Sequence, residues 1–571
     1  MSLVDLLRAG RRLSVPETVS RLAILRLALL AVLHLTALVL LVVTEAEILP
    51  RIIFLLAWGL LNFVWLLLLR RPILSAALSL ALLAGLIALS QLKYVLLWQT
   101  VSFVDVVIID YDSLAYLFAV VPDLYRNVLL ICAIALALLL VIARLDTLRI
   151  SRRLAMTGTT VCLAGLTLIS WTWPLENWEI FMRNGHVSKF ARTGVAAITE
   201  LVVHGMLQSE ALAAGHLRSL PPGEACAPPS KPPNIILVHD ESSFDITVAP
   251  GMKVPPGYRD HFRSFDGRQR HFVVEGPGGP SWYAEYNVLS GLSARSFGQF
   301  SYFVTRIAAG RVHRGLAQSL RHCGYRTLSI YPALGAFMSA KSFQTTAGVQ
   351  RFLDSRDLGT NRIEPDQFFY DKAVKLIGRE DRRSPLFMYI YLSANHYPWE
   401  HRFRPDLMPD WRDLGNEPRV DEYLRRQTMS AQDYRQFLAR LKQEFPGEPF
   451  LIVRYGDHQP EFAAEVIELN VPDAELTRRF VAYDPRYYTT YYALDAVNYK
   501  PANLSSAIDT LEGAYLPMVI QEAAGLPLDP SFAEQKRIFQ RCNGAFFLCQ
   551  GGAEARRFNR LLIDAGLIKG L

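Results

Sequence analysis

Residues 234–242 read Asn-Ile-Ile-Leu-Val-His-Asp-Glu-Ser, an apolar run of strand length that ends in polar and acidic residues. Further short runs, rich in β-branched and aromatic residues, lie at 327–331, 386–392 and 450–454, and helix-like stretches separate them. This alternation is typical of a mostly parallel sheet with covering helices. The pattern predicts an α/β domain over residues 234–526.

The first third of the chain has a different character, with apolar runs near the length of a membrane span at 22–43, 52–69, 73–89, 127–143 and 156–173. Of the 571 residues, 51% are hydrophobic and only 20% are charged, and the mean hydropathy is +0.17. This composition excludes a disordered chain and an ordinary cytosolic enzyme. We expect a polytopic helical membrane domain of five spans over residues 1–173. Because two runs are slightly short, a re-entrant or buried segment is the alternative for one of them.

The arginines account for the net charge of +7 and predict the topology. They flank the apolar runs at alternate ends with few acidic residues beside them, so little positive charge is left for a nucleic-acid groove in the large domain. The positive-inside rule places the N-terminus, residues 70–71 and the 144–153 loop in the cytoplasm. An odd number of spans then exports everything after residue 173, and we expect no nucleic-acid partner.

Three further segments surround the two domains. Residues 174–233 combine apolar residues at near-helical spacing with a Pro-rich stretch, which predicts amphipathic juxtamembrane helices and a semi-rigid linker. The outward segment 91–126 is rich in aromatic residues and is either an aromatic belt or an entry path for lipid headgroups. The last segment, 527–571, is expected to pack as an extension on the catalytic domain.

Four of the six cysteines follow the last apolar run, where an oxidising compartment permits disulfides. Because only a short segment separates Cys542 from Cys549, these two are the expected pair. No Cys-x-x-Cys zinc signature occurs.

Polar residues follow three of the predicted strands, namely His239-Asp240-Glu241-Ser242, Ser393-Ala394-Asn395-His396 and Gly456-Asp457-His458. In parallel sheets such positions gather at one edge. Carboxylate oxygens with an imidazole nitrogen suit Mn²⁺, Zn²⁺ or Mg²⁺, so one divalent cation is the economical interpretation. Adjacent strand residues point to opposite faces, so either Glu241 or Asp240 faces the metal. Taken singly, each side chain also fits a cap or a packed histidine.

A candidate nucleophile lies in the segment 276–287, where a glycine-rich bend precedes a predicted helix. The bend places Ser281 at the helix start, where the dipole and free N–H groups favour an oxyanion. A metal bound to the hydroxyl oxygen would lower its pKa. The alternative is that Ser281 is only an N-cap.

Four separated motifs occur in the order of the sulfatase and alkaline phosphatase superfamily, namely 234–242, Ser281-x-x-x-Glu285-Tyr286-x-x-Leu289-Ser290-Gly291-Leu292, Asn395-His396-Tyr397-Pro398 and Gly456-Asp457-His458. Within it the chain most resembles membrane-anchored lipoteichoic acid synthases and phosphoglycerol transferases that act on periplasmic glucans. The resemblance implies an α/β/α, alkaline phosphatase-type domain outside a bacterial cytoplasmic (inner) membrane, with one divalent cation, Mn²⁺ first.

By position, the resemblance implies that Glu241, Asp457 and His458 bind this cation. Ser281 would be the fourth ligand and the nucleophile. His396 would hold the substrate phosphate or the leaving group.

Two departures from the family pattern bear on function. The family normally has threonine where Ser281 stands. The alternatives to a fully active site are therefore a slower reaction or a site that has lost its catalytic activity. The Asp, Trp and Arg that grip glycerol phosphate in the family fall on Ala333, Met338 and Ala340, so the usual clamp is missing. Lys341 is a candidate for a replacement positive charge, with an ordinary surface lysine as the alternative.

The implied activity is transfer of a phospholipid headgroup phosphate, phosphoglycerol first, through a phosphoryl-Ser281 enzyme to an extracytoplasmic glycan or lipid acceptor. The donor would be phosphatidylglycerol or phosphatidylethanolamine. A phosphoethanolamine transferase is the near alternative, and a catalytically retired binding or regulatory membrane protein is the alternative from another class. A true sulfatase is disfavoured because no Ser/Cys-x-Pro-x-Arg sequence surrounds Ser281.

Overall fold

The computed structural model describes residues 21–97, 99–108, 111, 118, 123–175, 179, 182–203, 205–212, 215–217, 226, 231–380 and 383–571. These residues divide into two compact units, one within 1–107 and 121–199 and the other within 108–120 and 200–571. The first unit continues past the predicted boundary at 173 and takes in most of the predicted juxtamembrane helix. Most of the Pro-rich stretch of the linker and much of the aromatic outward segment lie outside the described residues.

The first unit is helical, and its helices are α1 (Arg21–Thr44), α2 (Ile48–Leu69), α3 (Pro72–Leu97), α4 (Phe103–Val107), α5 (Leu124–Leu145), α6 (Arg152–Thr172) and α7 (His186–Val203). Five of them, α1, α2, α3, α5 and α6, contain apolar stretches of 21 to 24 residues that are long enough to cross a membrane. The predicted five spans are therefore present, and the longer helix bounds remove the reason for a re-entrant segment.

Two features of these helices fit a lipid environment. Within the described residues, α5 buries none of its side chains although most of them are apolar, so its surface suits an apolar solvent. Between α2 and α6, Gly158 leaves room for the Phe63 side chain, because a Cβ atom on Gly158 would lie 2.5 Å from the Phe63 ring.

A buried carboxylate fixes the start of α7. Glu45 follows α1, and its Oε1 accepts hydrogen bonds from the Val187 and Ser188 N–H groups at 3.0 and 3.4 Å. The Ser188 hydroxyl donates to Oε2 at 2.6 Å. A carboxylate at this position satisfies N–H groups that the first helical turn leaves unpaired.

The second unit contains an eight-stranded sheet of β1 (Asn234–Asp240), β2 (Arg270–Val273), β3 (Arg326–Ile330), β4 (Arg351–Leu353), β5 (Leu386–Tyr391), β6 (Phe450–Gly456), β7 (Thr489–Val497) and β8 (Thr510–Glu512). The strand order is β4-β3-β5-β1-β6-β7-β2-β8. The five strands from β4 to β6 are mutually parallel, β7 is antiparallel to both its neighbours, and β2 and β8 are parallel. The predicted mostly parallel sheet is confirmed, with an antiparallel extension at one edge.

The helices of this unit are α8 (Ser281–Ser290), α9 (Val304–Ala308), α10 (Leu316–His322), α11 (Ala340–Thr346), α12 (Ser355–Leu358), α13 (Asp366–Arg379), α14 (Pro418–Glu444), α15 (Ala463–Ile467), α16 (Asp473–Val481), α17 (Pro485–Tyr488), α18 (Leu516–Ala523), α19 (Pro530–Cys542) and α20 (Ala553–Asp564). Ile236 and Val238 of β1 pack in one hydrophobic cluster with residues of α13 and α14. Their neighbours Ile235 and Leu237 are also fully buried. Both faces of the sheet are therefore covered, as in an α/β/α domain.

The C-terminal segment packs against the end of α8. Arg314 is buried and donates to Ser531 Oγ at 2.9 Å and to Gln535 Oε1 at 2.6 Å, while the Gln535 amide donates to Gly291 O at 2.7 Å. Buried polar groups are commonly paired in this way, because an unpaired one is costly.

Two disulfides lie in the second unit. One joins Cys542 to Cys549, the pair expected from the sequence. The other joins Cys226 to Cys323, the remaining two cysteines after the last apolar run, which are 97 residues apart and were not named as a pair. Cys132 and Cys162 are free.

Candidate active site

The site lies where β1 and β6 end. The two strands are parallel neighbours, and Asp240 at the end of β1 is opposite Gly456 at the end of β6. Because the strands end together, the next residues, Glu241 and Asp457, emerge side by side. This juxtaposition is the one expected at the carboxyl edge of a parallel sheet.

Strand alternation separates the two acidic residues at the end of β1, Asp240 and Glu241. Asp240 points to the face away from Asp457, where its Oδ2 lies 2.9 Å from His261 Nε2 and accepts a hydrogen bond from the Tyr491 hydroxyl. Glu241 lies on the other face with Asp457. Of the two residues that the sequence left open, Glu241 is therefore the one beside the site.

The geometry around Ser281 joins the three polar segments. The Ser281 hydroxyl is 3.0 Å from His458 Nε2 and 3.4 Å from Glu241 Oε2. His458 Nε2 is 3.2 Å from Asp457 Oδ2 and 3.6 Å from Glu241 Oε1. All four side chains are buried. The structure thus brings together the residues that the resemblance named as metal ligands.

Ser281 is the first residue of α8, and Pro280 precedes it without a side-chain cap. The bend before it requires glycine, because Gly278 has φ +60° and a Cβ atom there would lie 3.2 Å from the Glu461 backbone. The hydroxyl therefore sits at the positive end of a helix of ten residues. This position favours negative charge on the oxygen or on a phosphate bound to it.

Two backbone features hold Asp457 in place. A Cβ atom on Gly456 would lie 1.8 Å from the Ser243 carbonyl oxygen, so no other residue fits there. Ser242 has φ +48°, and its N–H donates to Asp457 Oδ1 at 2.7 Å. The His458 N–H donates to the same oxygen at 2.8 Å. The Oδ1 atom is therefore fixed, and Oδ2 faces the site.

The charges in the cluster are strongly coupled. Burial and the nearby Asp457 carboxylate raise the pKa of Glu241 to about 8. Burial alone would raise the pKa of Asp457, but the His458 and His239 imidazoles lower it to about 2. Burial would lower the pKa of His458, yet the Asp457 and Glu241 charges raise it. Two buried carboxylates facing each other attract a positive charge, which a proton or a cation can supply.

The donor set fits a divalent cation. The side chains of His239, Glu241 and Asp457 each place a ligand atom within 4.8 Å of the others. In the described part of the structure, Asp457 Oδ2 and His239 Nε2 are buried and lack a hydrogen bond of suitable geometry. The separations of 3.0 to 3.6 Å among the site atoms match the roughly 3.0 to 3.5 Å expected between ligands of one ion bound at about 2.1 Å.

His396 lies on a loop that α14 holds in place. Its Nδ1 is 2.8 Å from Tyr397 O, and its ring stacks on Tyr397 at 4.5 Å. The buried Arg426 donates to His396 O at 2.7 Å and to Pro398 O at 2.8 Å, and Glu422 pairs with it at 2.7 Å. Burial lowers the pKa of His396, while the Asp457 charge acts in the opposite sense. The imidazole is therefore neutral near pH 7 and half-buried near the cluster.

The other predicted contact is not part of this cluster. Lys341 is exposed on α11, and in the described residues no hydrogen bond or ion pair joins its side chain to Ser281 or to the acidic residues. Met338, one of the positions of the missing clamp, is buried in a left-handed conformation with φ +47°. Its carbonyl accepts a hydrogen bond from Thr305 at 2.8 Å. The segment around Met338, which the resemblance aligns with the family's clamp, is here a turn with a buried centre.

Three residues beside the site were given no individual role by the sequence. His239 is two residues before Glu241, so strand alternation would have placed both on one face. The contacts of Ser242 and Arg426 could not have been predicted, because their partners lie far away in the chain.

The segment from Ser281 to beyond His458 matches a known family. The family model described as Sulfatase covers residues 281–498. This segment is a sulfatase-family domain. It contains Ser281, His396, Asp457 and His458, while Glu241 comes from the strand before it. Comparison with curated proteins gives no significant match.

Solved structures of three related kinds resemble the chain. The phosphoglycerol transferase GacH of Streptococcus pyogenes, in complex with sn-glycerol-1-phosphate, is 15% identical over 59% of this chain and 90% of its own, with a TM-score of 0.43. The lipoteichoic acid synthase LtaP of Listeria monocytogenes is 16% identical over 52% and 72%, with a TM-score of 0.37. The periplasmic domain of EcEptC from Escherichia coli is 15% identical over 53% and 84%, with a TM-score of 0.36.

Proposed function

We propose that the protein is a metal-dependent transferase that moves the headgroup phosphate of a membrane phospholipid, phosphoglycerol first, to an extracytoplasmic glycan or lipid acceptor. One observation carries the proposal: the Ser281 hydroxyl, at a helix N-terminus, lies within hydrogen-bonding distance of His458 and Glu241 in a buried acidic and imidazole cluster. This combination suits a nucleophile that forms a covalent phosphoryl intermediate.

The proposed reaction has two half-reactions. In the first, Ser281 Oγ attacks the phosphorus of the donor, the bond to the diacylglycerol oxygen breaks, and diacylglycerol leaves with a proton. In the second, a hydroxyl of the acceptor attacks the same phosphorus, the bond to Oγ breaks, and Ser281 regains its proton. Glu241 Oε2, 3.4 Å from Oγ, is the carboxylate oxygen near enough to hold that proton.

His396 is proposed to bind the phosphate or the leaving oxygen. Its Nδ1 is bound to Tyr397 O, which fixes the ring orientation and leaves Nε2 for substrate. Because Arg426 ties the backbone of the loop at three carbonyl groups, the imidazole is held in place before substrate binds.

Glu241, Asp457, His458 and Ser281 would hold one divalent cation, Mn²⁺ first with Zn²⁺ or Mg²⁺ as alternatives. Bound there, it would supply positive charge that favours the deprotonated serine and offsets the charge of the phosphoryl oxygens. The buried Asp457 Oδ2 without a hydrogen bond supports this assignment.

The membrane unit supports a lipid donor and a location in the bacterial cytoplasmic (inner) membrane. Five apolar helices are long enough to cross a bilayer, and the arginine pattern favours a sheet domain outside the cytoplasm. A tethered site meets a bilayer-bound donor at high effective concentration.

A phosphoethanolamine transferase is the second candidate. The observation that favours it is the tight turn in place of the glycerol clamp, with Ala333, Met338 and Ala340 at the positions of the family's polar residues. The two candidates differ only in the donor headgroup.

The experiment uses the purified full chain in vesicles that contain either labelled phosphatidylglycerol or labelled phosphatidylethanolamine. We expect diacylglycerol to be released from one donor in a reaction that a chelator stops and a divalent cation restores. The donor that reacts decides between the two candidates. No diacylglycerol from either donor, with the cation bound, would contradict the proposal.

A further inference from the structure

His239, the penultimate residue of β1, is a fully buried histidine that the family resemblance leaves without a role. We propose that His239 is an additional ligand of the divalent cation, so that the site offers two imidazole nitrogens rather than one. The inference rests on the cation of the proposed function. It concerns the make-up of the site and does not require any particular donor.

The position of His239 follows from the strand. Glu241 directly follows β1, two residues after His239, and the alternation of the strand brings both side chains to the same face. His239 Nε2 lies 3.1 Å from Asp457 Oδ2, and His239, Glu241 and Asp457 each offer one ligand atom within 4.8 Å of the others. An imidazole nitrogen and two carboxylate oxygens from adjoining strand ends therefore converge on one point.

The other ring nitrogen is already bound. His239 Nδ1 lies 2.9 Å from the Tyr389 hydroxyl and 2.7 Å from the Tyr455 hydroxyl, and the ring stacks on Tyr391 at a centroid distance of 3.7 Å. If Nδ1–H donates to a tyrosine oxygen, the lone pair of Nε2 points into the cluster. Metal-ligating histidines commonly donate their second N–H to a neighbouring group, which fixes the tautomer.

The competing role is that Nε2–H simply donates to Asp457 and orients it. At 3.1 Å the two atoms are close enough, yet in the described structure neither forms a hydrogen bond of suitable geometry. His261 provides the comparison on the opposite face of β1, since its Nε2 does form a well-oriented hydrogen bond with Asp240, at 2.9 Å. Two buried atoms 3.1 Å apart without a well-oriented hydrogen bond are better explained by a shared ion between them.

The test counts imidazole nitrogens on the bound ion. The purified full chain is stripped with a chelator and loaded with one equivalent of Mn²⁺, and electron spin-echo envelope modulation measures the coupled ¹⁴N nuclei. We expect two imidazoles in the wild-type chain and one in His239→Asn, with at least a tenfold loss of Mn²⁺ affinity. His261→Asn, the matched control, should retain both nitrogens and the wild-type affinity.

Other outcomes decide against the inference. A single imidazole in the wild-type chain, or a His239→Asn spectrum equal to that of the wild type, would overturn it, as would failure of the wild-type chain to bind Mn²⁺. Where His239→Asn does not fold, His458→Ala decides the question. One imidazole nitrogen still coupled to Mn²⁺ in that variant supports His239 as a ligand, and no coupled nitrogen refutes it.

The Tyr389→Phe and Tyr455→Phe double variant should keep both nitrogens but bind Mn²⁺ ten- to a hundredfold more weakly.

The result is independent of the donor assay. Two imidazole nitrogens without release of diacylglycerol would refute the proposed function and support the ligand assignment. One imidazole nitrogen with normal release of diacylglycerol would support the proposed function and refute the ligand assignment.

Discussion

At the scale of single residues, Gly456 decides where Asp457 lies. It ends β6, and the Ser243 carbonyl occupies the space of any side chain at this position. The Ser243 oxygen belongs to rigid backbone next to the site. If alanine replaces Gly456, the end of β6 rather than this oxygen therefore has to move.

We expect Gly456→Ala to lower stability by about 1 to 3 kcal/mol and to weaken binding of the divalent cation, because Asp457 is displaced with the strand end. Thermal unfolding and metal titration of the purified chain measure both effects. Gly378→Ala on α13 is the control, since its Cβ atom would make only an ordinary contact at 3.9 Å with Phe445. Equal metal affinity in both variants would show that Gly456 does not position Asp457.

Ser281 is the residue whose chemistry is most specific. We expect Ser281→Ala to abolish headgroup transfer by removing the nucleophile, and Ser281→Thr to keep measurable transfer because the hydroxyl remains. Release of diacylglycerol from labelled vesicles measures both. Transfer by Ser281→Ala at the wild-type rate would remove Ser281 from the mechanism, and an inactive wild-type chain rescued by Ser281→Thr would indicate a retired site.

At the scale of elements, α14 serves as the support of the His396 loop. Arg426 projects from it to the His396, Pro398 and His401 carbonyl groups and pairs with Glu422 on the same helix. A buried guanidinium that loses its partners, or carbonyl groups that lose theirs, is expensive. The helix therefore fixes a loop that has no secondary structure of its own.

We expect Arg426→Ala to lower the free energy of unfolding by roughly 3 kcal/mol. Transfer by the protein that remains folded should also be slower than in the wild type, because the His396 ring is no longer held. Arg435→Ala, at an exposed position of α14, should change stability by no more than about 0.5 kcal/mol. Thermal unfolding and transfer rates at a temperature well below unfolding check this. Full transfer by the folded Arg426→Ala protein would be incompatible with the supporting role.

The start of α13 carries a pH-dependent contribution to stability. Burial, with the Asp240 charge, raises the pKa of Asp366 to about 8, although Ser430 donates a hydrogen bond to it. Because the folded protein holds this proton more tightly than the unfolded chain, the contribution is largest at low pH and is lost as pH rises from about 4 to about 8.

Asp366→Asn removes that titration. We expect the unfolding temperature of the variant to fall less between pH 5 and pH 8 than that of the wild type, measured on the full chain in detergent. Asp371→Asn, on the outer side of α13, should keep the wild-type slope. An unchanged slope in Asp366→Asn would mean that Asp366 does not titrate in this range.

At the scale of the whole molecule, much was predictable because the signals are local. The five apolar runs, the parallel strands and the acidic strand ends each follow from composition or periodicity within about twenty residues. The pairing of Cys226 with Cys323 is not local, and the role of His239 depends on tyrosines of β5 and β6. The antiparallel pairing of β7 with β6 and β2 could not be predicted from such local patterns either.

The two disulfides should differ in their effect on stability. Because Cys226 and Cys323 are 97 residues apart and Cys542 and Cys549 only 7, closing the longer loop restricts the unfolded chain more. We expect the Cys226→Ser and Cys323→Ser double variant to lose about 4.7 kcal/mol, and the Cys542→Ser and Cys549→Ser variant about 2 kcal/mol. Guanidinium unfolding of both measures this, and the reverse order would contradict it.

The central claim is that Ser281 carries the headgroup phosphate during transfer. Tandem mass spectrometry of acid-quenched protein, after incubation with vesicles of isotope-labelled phospholipid, tests it most directly, with diacylglycerol measured in the same samples. The account predicts a labelled headgroup phosphate on the Ser281 Oγ. Release of diacylglycerol with Ser281 unmodified, and the label on another residue, would contradict it.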